Sequence, residues 1–231
     1  MHEMRDIKNE KVILIRCNSS VIPEEFMSNN EVLLLNDDKN RQNCYNKDRM
    51  NKLLECVKTP TINYFTALYS LVVGKPIMVK TIRHQGGDGC HLITNVQELR
   101  VLQKEHEYLH FEKFIPFKHE YRVLCMLDQL ILLEKYLYTS IGHQDSLAKC
   151  SHNGYKYKVK GIANENNVNN FNDVLQVLGI FKVQFCTIDI GVHNGKWYIL
   201  EINSSLPLPK FTEKTQDEIA IYFYKSLKRL L

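Results

Sequence analysis

Three oxygen-bearing side chains stand near the ends of two apolar runs late in the chain: Asp189 in "TIDIGV", and Glu201 and Asn203 in "YILEIN". Glu201 and Asn203 are two apart, so on a strand they point to one face. A tight turn around "HNG" (193–195) would make the two runs antiparallel partners and bring Asp189 alongside. Carboxylates in apolar strands are costly without a charge partner. Hard oxygen donors suit Mg²⁺, which takes carboxylates together with phosphate oxygens rather than an all-protein cage. Two carboxylates so close should repel, raising at least one pKa until a cation binds. The bland alternative is a polar rim on a half-exposed sheet.

A second constellation is "VKTIRHQGGDGCHL" (79–92). Lys80 ends an apolar run, and Gly86, Gly87 and Gly89 follow. Glycines let backbone N–H groups approach phosphates closely. Neither the P-loop spacing nor the dinucleotide fingerprint is present, and taken alone a glycine hairpin is the commoner explanation. A third is "HFEKFIPFKHEYRV" (110–123). Glu112, Lys113, Phe114 and Ile115 end a strand before a proline. An adenine needs an apolar slot and a backbone donor–acceptor pair, which such a strand end supplies. Glu120 stands within reach of a ribose, although charged residues at strand ends are routine.

The elements that would position these residues read as follows. Short buried strands cover 11–17 and 31–35, and 38–48 is polar and loop-like. Residues 47–57 have helical spacing, and Pro60 ends them in an extended stretch over 58–65. A strand at 75–82 leads into the glycine-rich turn. A helix follows at 95–105, then a strand ending at Pro116. A hairpin turns around Asp128. Lysines cluster in "NGYKYKVKG" (153–161), which reads as a solvated hairpin or as a site for an anionic ligand or acidic partner. A helix over 171–180 stops near Gly179, and an amphipathic helix with a basic end closes the chain. The fold class is α+β.

The chain has 231 residues, 44% hydrophobic and 24% charged, which is an ordinary globular balance. No apolar run approaches the ~20 residues that cross a bilayer. Net charge is +4, too mild to argue nucleic acid. The seven cysteines, 17, 44, 56, 90, 125, 150 and 186, are scattered and odd in number, which reads as reduced thiols in a cytoplasmic protein.

The order of these pieces raises their weight: a lysine strand, a glycine-rich loop, a helix, an E-x-F-I strand end, an E-x-R strand, a hairpin, then D…E-x-N. Over roughly residues 45–210 this resembles the ATP-grasp superfamily, especially carboxylate–amine ligases such as ribosomal-protein glutamate ligase and D-alanine–D-alanine ligase. The resemblance implies two α+β lobes that hold ATP between antiparallel sheets, after a shortened α/β N-terminal segment. It implies divisions at 1–60, 61–115 (small lobe with a glycine-rich lid) and 116–231 (lobe with the metal site). Lys47 and Lys80 would hold the α- and β-phosphates, and Gly86, Gly87 and Gly89 would form the lid. Glu112, Lys113, Phe114 and Ile115 would form the adenine hinge, with Glu120 on the ribose. Asp189, Glu201 and Asn203 would bind Mg²⁺. Lys135, Arg122 and Asn153 would be catalytic, Lys135 facing the γ-phosphate and the acyl phosphate.

Besides its short N-terminal region, the sequence departs from the family in two places. "EINSSLPLP" lacks the usual glycine after E-x-N, and "FCTID" lacks the basic residue many ligases place before the metal-binding Asp. The implied activity joins a carboxylate to an amine on a small molecule, peptide or protein. A kinase acting on an alcohol such as an inositol phosphate, or a non-catalytic nucleotide-binding protein, would share the same motifs. A homo-oligomer or a partner protein completing the acceptor site is also open.

Overall fold

A computed structural model of the protein describes residues 12–15, 32–36, 38–81, 89–127, 129–138, 154–204 and 211–228. The glycine-rich residues 82–88, including Gly86 and Gly87, and the segment with Asn153 lie outside them. Strands β1 (Val12–Ile15) and β2 (Val32–Leu35) pair in parallel. Helices α1 (Asp38–Tyr45) and α2 (Lys47–Leu53) follow, and a 3₁₀ turn continues over Leu54–Cys56. Residues 38–45 are therefore helical where a loop was expected. Their polarity is one-sided: Cys44 and Arg41 are buried, and Cys44 packs in a core with Met50 and Leu54.

Four strands make a small antiparallel sheet in the order β3 (Thr61–Ile62), β6 (Leu109–Lys113), β4 (Ile77–Thr81), β5 (Cys90–Ile93). The extended reading of 58–65 holds only for β3. The side chain of Asn63 accepts from Thr66 N at 2.8 Å and starts helix α3 (Tyr64–Val72), where the sequence suggested only extended chain. Asn95 caps α4 (Val96–Glu105) in the same way. Both helices cover one face of the sheet through Ala67, Leu71, Ile77, Val79, Ile93, Leu99 and Leu102. Alternation turns Lys80, His110 and Glu112 to the other face.

The large sheet is antiparallel, in the order β11 (Lys196–Asn203), β10 (Phe185–His193), β7 (His119–Met126), β8 (Gln129–Leu137), β9 (Tyr155–Ile162). Asn194 and Gly195, both at positive φ (49° and 71°), close the β10–β11 hairpin, as the Asn-Gly pair suggests. Helix α5 (Phe171–Phe181) runs through Gly179 and ends at Lys182, which adopts a left-handed φ of 52°. The helix continues because Phe181, two residues past the glycine, is fully buried. Helix α6 (Glu213–Lys228) is the last described element, with Lys225 and Lys228 in its final turn.

The two faces of the large sheet differ. One carries Val123, Cys125, Leu132, Cys186, Ile188, Ile190, Ile199 and Ile202 against α5 and the α1–α2 region. The other carries Leu124, Met126, Ile131, Leu133 and Phe185 against Phe211 and Ile219 of the closing segment. Further along that second face the apolar layer gives way to charge. Asn36, buried at the end of β2, ties the N-terminal segment to the sheet. Its Oδ1 accepts from Gln184 N and Phe185 N, and its Nδ2 donates to Phe185 O.

Candidate active site

The β10–β11 register decides what the site contains. From the turn upward the ladder is regular to Ile190↔Ile199, and the next pair is Asp189↔Glu201. Leu200 is thus an extra residue, a β-bulge. Without it Asp189 would face Leu200, and Glu201 would turn to the core side. With it, Ile199 and Ile202 both reach the core, while Glu201 and Asn203 stand beside Asp189 and Thr187 on the opposite face. The same-face pairing of Glu201 and Asn203 was legible from their spacing; the bulge that aligns them with Asp189 was not.

The carboxylates do not meet unaccompanied. Arg122, directly across β7 from Asp189, donates from Nε to Oδ1 at 2.5 Å and from Nη2 to Oδ2 at 2.7 Å. This bidentate pair gives Asp189 a basic partner from the neighbouring strand β7. Burial alone would lower the pKa of Arg122, and the Asp189 charge outweighs it, so the guanidinium is held charged. Asn203 Nδ2 donates to Glu201 Oε1 at 2.6 Å, which leaves its Oδ1 as the atom for other partners.

Next along the face, Lys135 Nζ bonds Glu120 Oε2 at 2.5 Å. Tyr157 of β9 lies under both cations, its ring centre 4.6 Å from the Arg122 guanidinium and 5.6 Å from Lys135 Nζ. Burial, with the nearby Asp189 charge, pushes the Tyr157 phenol up to about 12, so it stays protonated at neutral pH. Sequence reasoning missed Tyr157; the alternation in "YKYKVK" was the available signal. The same alternation turns Lys158 and Lys160 away from this face, where both bridge Glu134 at 3.1 Å. The lysine row is therefore not part of the site.

From the small sheet, Lys80 Nζ bonds Glu112 Oε1 at 2.6 Å. Burial would lower Lys80, but the Glu112 charge and hydrogen bond raise it, with Glu201 adding to the effect from the large sheet. Lys80 is thus within electrostatic reach of Glu201. Burial alone would raise Glu112; Lys80 and His110 outweigh it and hold the carboxyl below its ordinary range.

The segment between the sheets, with Phe114 and Ile115, is pinned by packing. His193 Nδ1 donates to Pro116 O at 2.9 Å, and Lys118 N donates to Val192 O at 3.0 Å. The Phe117 ring lies over Gly191, where an added Cβ would meet it at 2.6 Å. Lys113 is exposed, and Lys113 N donates to Pro60 O. Gly89 O accepts from Thr81 N at 2.9 Å. Lys47 is the first residue of α2.

The residues present fit a Mg²⁺ ion. Asp189, Glu201 and Asn203 offer only oxygen donors on one face. An ion held by these donors would complete its shell with phosphate oxygens and water. Arg122 Nη1 and Thr187 Oγ1 on the same face are buried without a hydrogen-bond partner among the described residues.

Residues 76–208 match the family described as ATP-grasp domain, family 2 of the R-2-K clade. The chain belongs to this ATP-grasp family. Among solved structures it is similar to D-alanine–D-alanine ligase from Bacillus anthracis, with a TM-score of 0.58 and 20% identity over 80% of this chain and 65% of that one. It is similar to the ATP-grasp ligase PsnB complexed with its minimal precursor (TM-score 0.55, 13% identity, 76% of this chain and 57% of that one). A Chryseobacterium gregarium RiPP-associated ATP-grasp ligase in complex with ADP and a leader and core peptide matches at TM-score 0.54 and 16% identity, over 76% and 56% of the two chains. At these identities the likeness is one of fold. This ATP-grasp chain spans about 56 to 65% of the length of these three proteins. None of the curated proteins matches. Among the described residues no helix is long and apolar enough to cross a membrane.

Proposed function

We propose that this chain is an ATP-dependent ligase that joins a carboxylate to an amine through an acyl phosphate, releasing ADP and phosphate. The observation that carries the reading is the alignment of Asp189, Glu201 and Asn203 on the polar end of one sheet face, beside Arg122 and Lys135 and within reach of Lys80. The neighbouring folds are those of ligases, and one structure of PsnB contains Mg and ADP (TM-score 0.53). Two of these neighbours are complexed with precursor, leader or core peptides, which favours a peptide or protein as one substrate.

In this reading adenine lies against Glu112, Lys113, Phe114 and Ile115, with the ribose near Glu120. Lys80 and Lys47 hold phosphates, and Gly86, Gly87 and Gly89 cover them. Asp189, Glu201 and Asn203 would hold Mg²⁺, which neutralises charge on the phosphates as it moves. Lys135 and Arg122 place positive charge where the substrate carboxylate meets the γ-phosphate, and Asn153 is assigned a catalytic part from the family resemblance alone. The carboxylate oxygen attacks phosphorus and ADP leaves; the amine nitrogen then attacks the acyl carbon, phosphate leaves, and the nitrogen gives up a proton. The chain's contribution is mainly position and charge. Lys135 begins paired to Glu120, so ribose binding at Glu120 would loosen that pair and release Lys135 toward the phosphates.

The test is a screen of amino acids and peptides for ADP release, with the product read by mass spectrometry. An amide product that needs both a carboxylate and an amine supports the reading. A phosphate ester formed from an alcohol would replace it with a kinase.

A further inference from the structure

Lys80 is held by a chain of contacts that begins in the N-terminal segment. On β6, His110 and Glu112 share a face, and Lys80 is the direct cross-strand partner of His110. Both Lys80 Nζ (2.6 Å) and His110 Nε2 (3.3 Å) approach one atom, Glu112 Oε1. The other ring nitrogen, His110 Nδ1, lies 2.8 Å from Asn51 Nδ2 of α2. Thr61 Oγ1 is 3.4 Å from Nε2. Glu112 is buried and His110 keeps only 14% of its side-chain surface, so water does little of this work.

The chemistry fixes the proton. A carboxylate only accepts, so the nitrogen facing Glu112 must carry hydrogen; the Asn51 amide nitrogen only donates, so the nitrogen facing it must be bare. The neutral Nε2–H tautomer satisfies both contacts, and the Nδ1–H tautomer violates both. A second-sphere partner that sets a ring's tautomer and aim in this way also sets the aim of what the ring holds.

We propose that His110 is a positioning residue, a neutral Nε2–H imidazole clamped by Asn51, that orients Glu112 and through it Lys80 for the nucleotide phosphates. The relay ties α2 to β4 across the small sheet, so the fit of the N-terminal segment is read out at the lysine. Lys47 stands one turn before Asn51 on that same helix. The role at phosphates rests on the nucleotide-binding reading above; the tautomer and the clamp do not.

Two measurements on the full chain separate these claims. Two-bond ¹H–¹⁵N spectra of the nucleotide-free protein near neutral pH report the tautomer directly. We expect His110 protonated at Nε2 alone; in Asn51→Ala the Glu112 contact should keep Nε2–H, while a proton on Nδ1 is no longer excluded. In the wild-type protein a doubly protonated ring or an Nδ1–H tautomer would overturn the clamp. Calorimetry with Mg·ADP then tests the relay. His110→Ala should weaken binding by about tenfold, the loss of roughly one hydrogen bond's worth of order. His110→Gln, whose side-chain amide can still donate toward Glu112, should recover most of it. In a Lys80→Ala background His110→Ala should add nothing, because its effect passes through that lysine. Additive losses, or a Gln variant as weak as Ala at equal melting temperature, would overturn the relay. A wild-type protein that shows the expected tautomer but binds no nucleotide would sink the functional reading and leave the clamp standing.

Discussion

Three ion pairs of the site join residues on different strands: Lys80 with Glu112, Arg122 with Asp189, Lys135 with Glu120. Buried pairs of this kind cost desolvation and add little net stability, but removing one partner strands the other. Lys80→Ala should therefore weaken Mg·ATP binding in calorimetry and also lower the melting temperature, since Glu112 loses its cation; wild-type affinity in that variant would remove Lys80 from the site. The Glu112 shift has a pH consequence. Its carboxyl titrates lower when folded than the unfolded value of about 4.3, so the unfolded chain takes up the proton first. The stabilisation is complete above the unfolded value and is lost as pH falls through the folded one. Urea midpoints measured down to about pH 3 should show an acid limb that is shallower in Glu112→Gln; identical limbs would mean that Glu112 is not the titrating group. Tyr157 gives a further residue-scale test. Tyr157→Phe keeps the ring under Arg122 and Lys135, and Tyr157→Leu removes it, so only the Leu variant should lose the ~0.5–2 kcal/mol that a ring offers two cations.

At the scale of elements, the segment joining the two sheets is held by a missing side chain. Gly191 has no Cβ, and the Phe117 ring occupies the place one would take. Gly191→Ala must push the ring and with it the Phe114–Phe117 stretch proposed to hold adenine. We expect a higher KM for ATP with kcat nearly kept, and partial recovery when Phe117→Leu is added. Unchanged kinetics in Gly191→Ala would place adenine elsewhere. The elements were partly legible in the sequence. Strong periodicity gave α4, α5, the β7–β8 hairpin and the β10–β11 pair, including its Asn-Gly turn. Helix α1 was hidden because so few of its residues are apolar, and α3 because Pro60 and the extended Thr61–Ile62 pair mask the Asn63 cap. The shared face of Glu201 and Asn203 was legible from their spacing, and the turn around "HNG" was enough to bring Asp189 alongside. Arg122 was placed by resemblance, but its grip on Asp189 needed the β7–β10 register, and Tyr157 and His110 needed the sheets themselves. No single-sequence pattern announces Leu200 as a bulge, because a bulge is a property of two strands.

At the scale of the molecule, three clusters of buried apolar side chains stand out among the described residues. The small-sheet cluster draws only on residues from Ala67 to Leu102 for its fully buried members, whereas Cys44, Met50, Leu54 and Val57 share the large-sheet cluster with β7, β10 and β11. The helices α1 and α2 are thus packed as part of the large sheet's core while Asn51 reaches across to the small sheet. Leu99→Ala, which hollows the small-sheet cluster at a cost of roughly 2–5 kcal/mol, should raise hydrogen exchange in β4 and β6 and leave β10 and β11 protected. Equal loss of protection in both sheets would mean that the two cores unfold as one. The central claim, that this face activates a carboxylate as its acyl phosphate, is tested most directly by isotope transfer. The protein would be incubated with Mg·ATP, hydroxylamine as a general amine, and pooled amino acids and peptides carrying ¹⁸O in their carboxylates. The account predicts a hydroxamate, ADP, and phosphate carrying one ¹⁸O, all lost in Glu201→Gln while the fold survives. ADP release with no ¹⁸O in phosphate, or label transfer undiminished in Glu201→Gln, would contradict it.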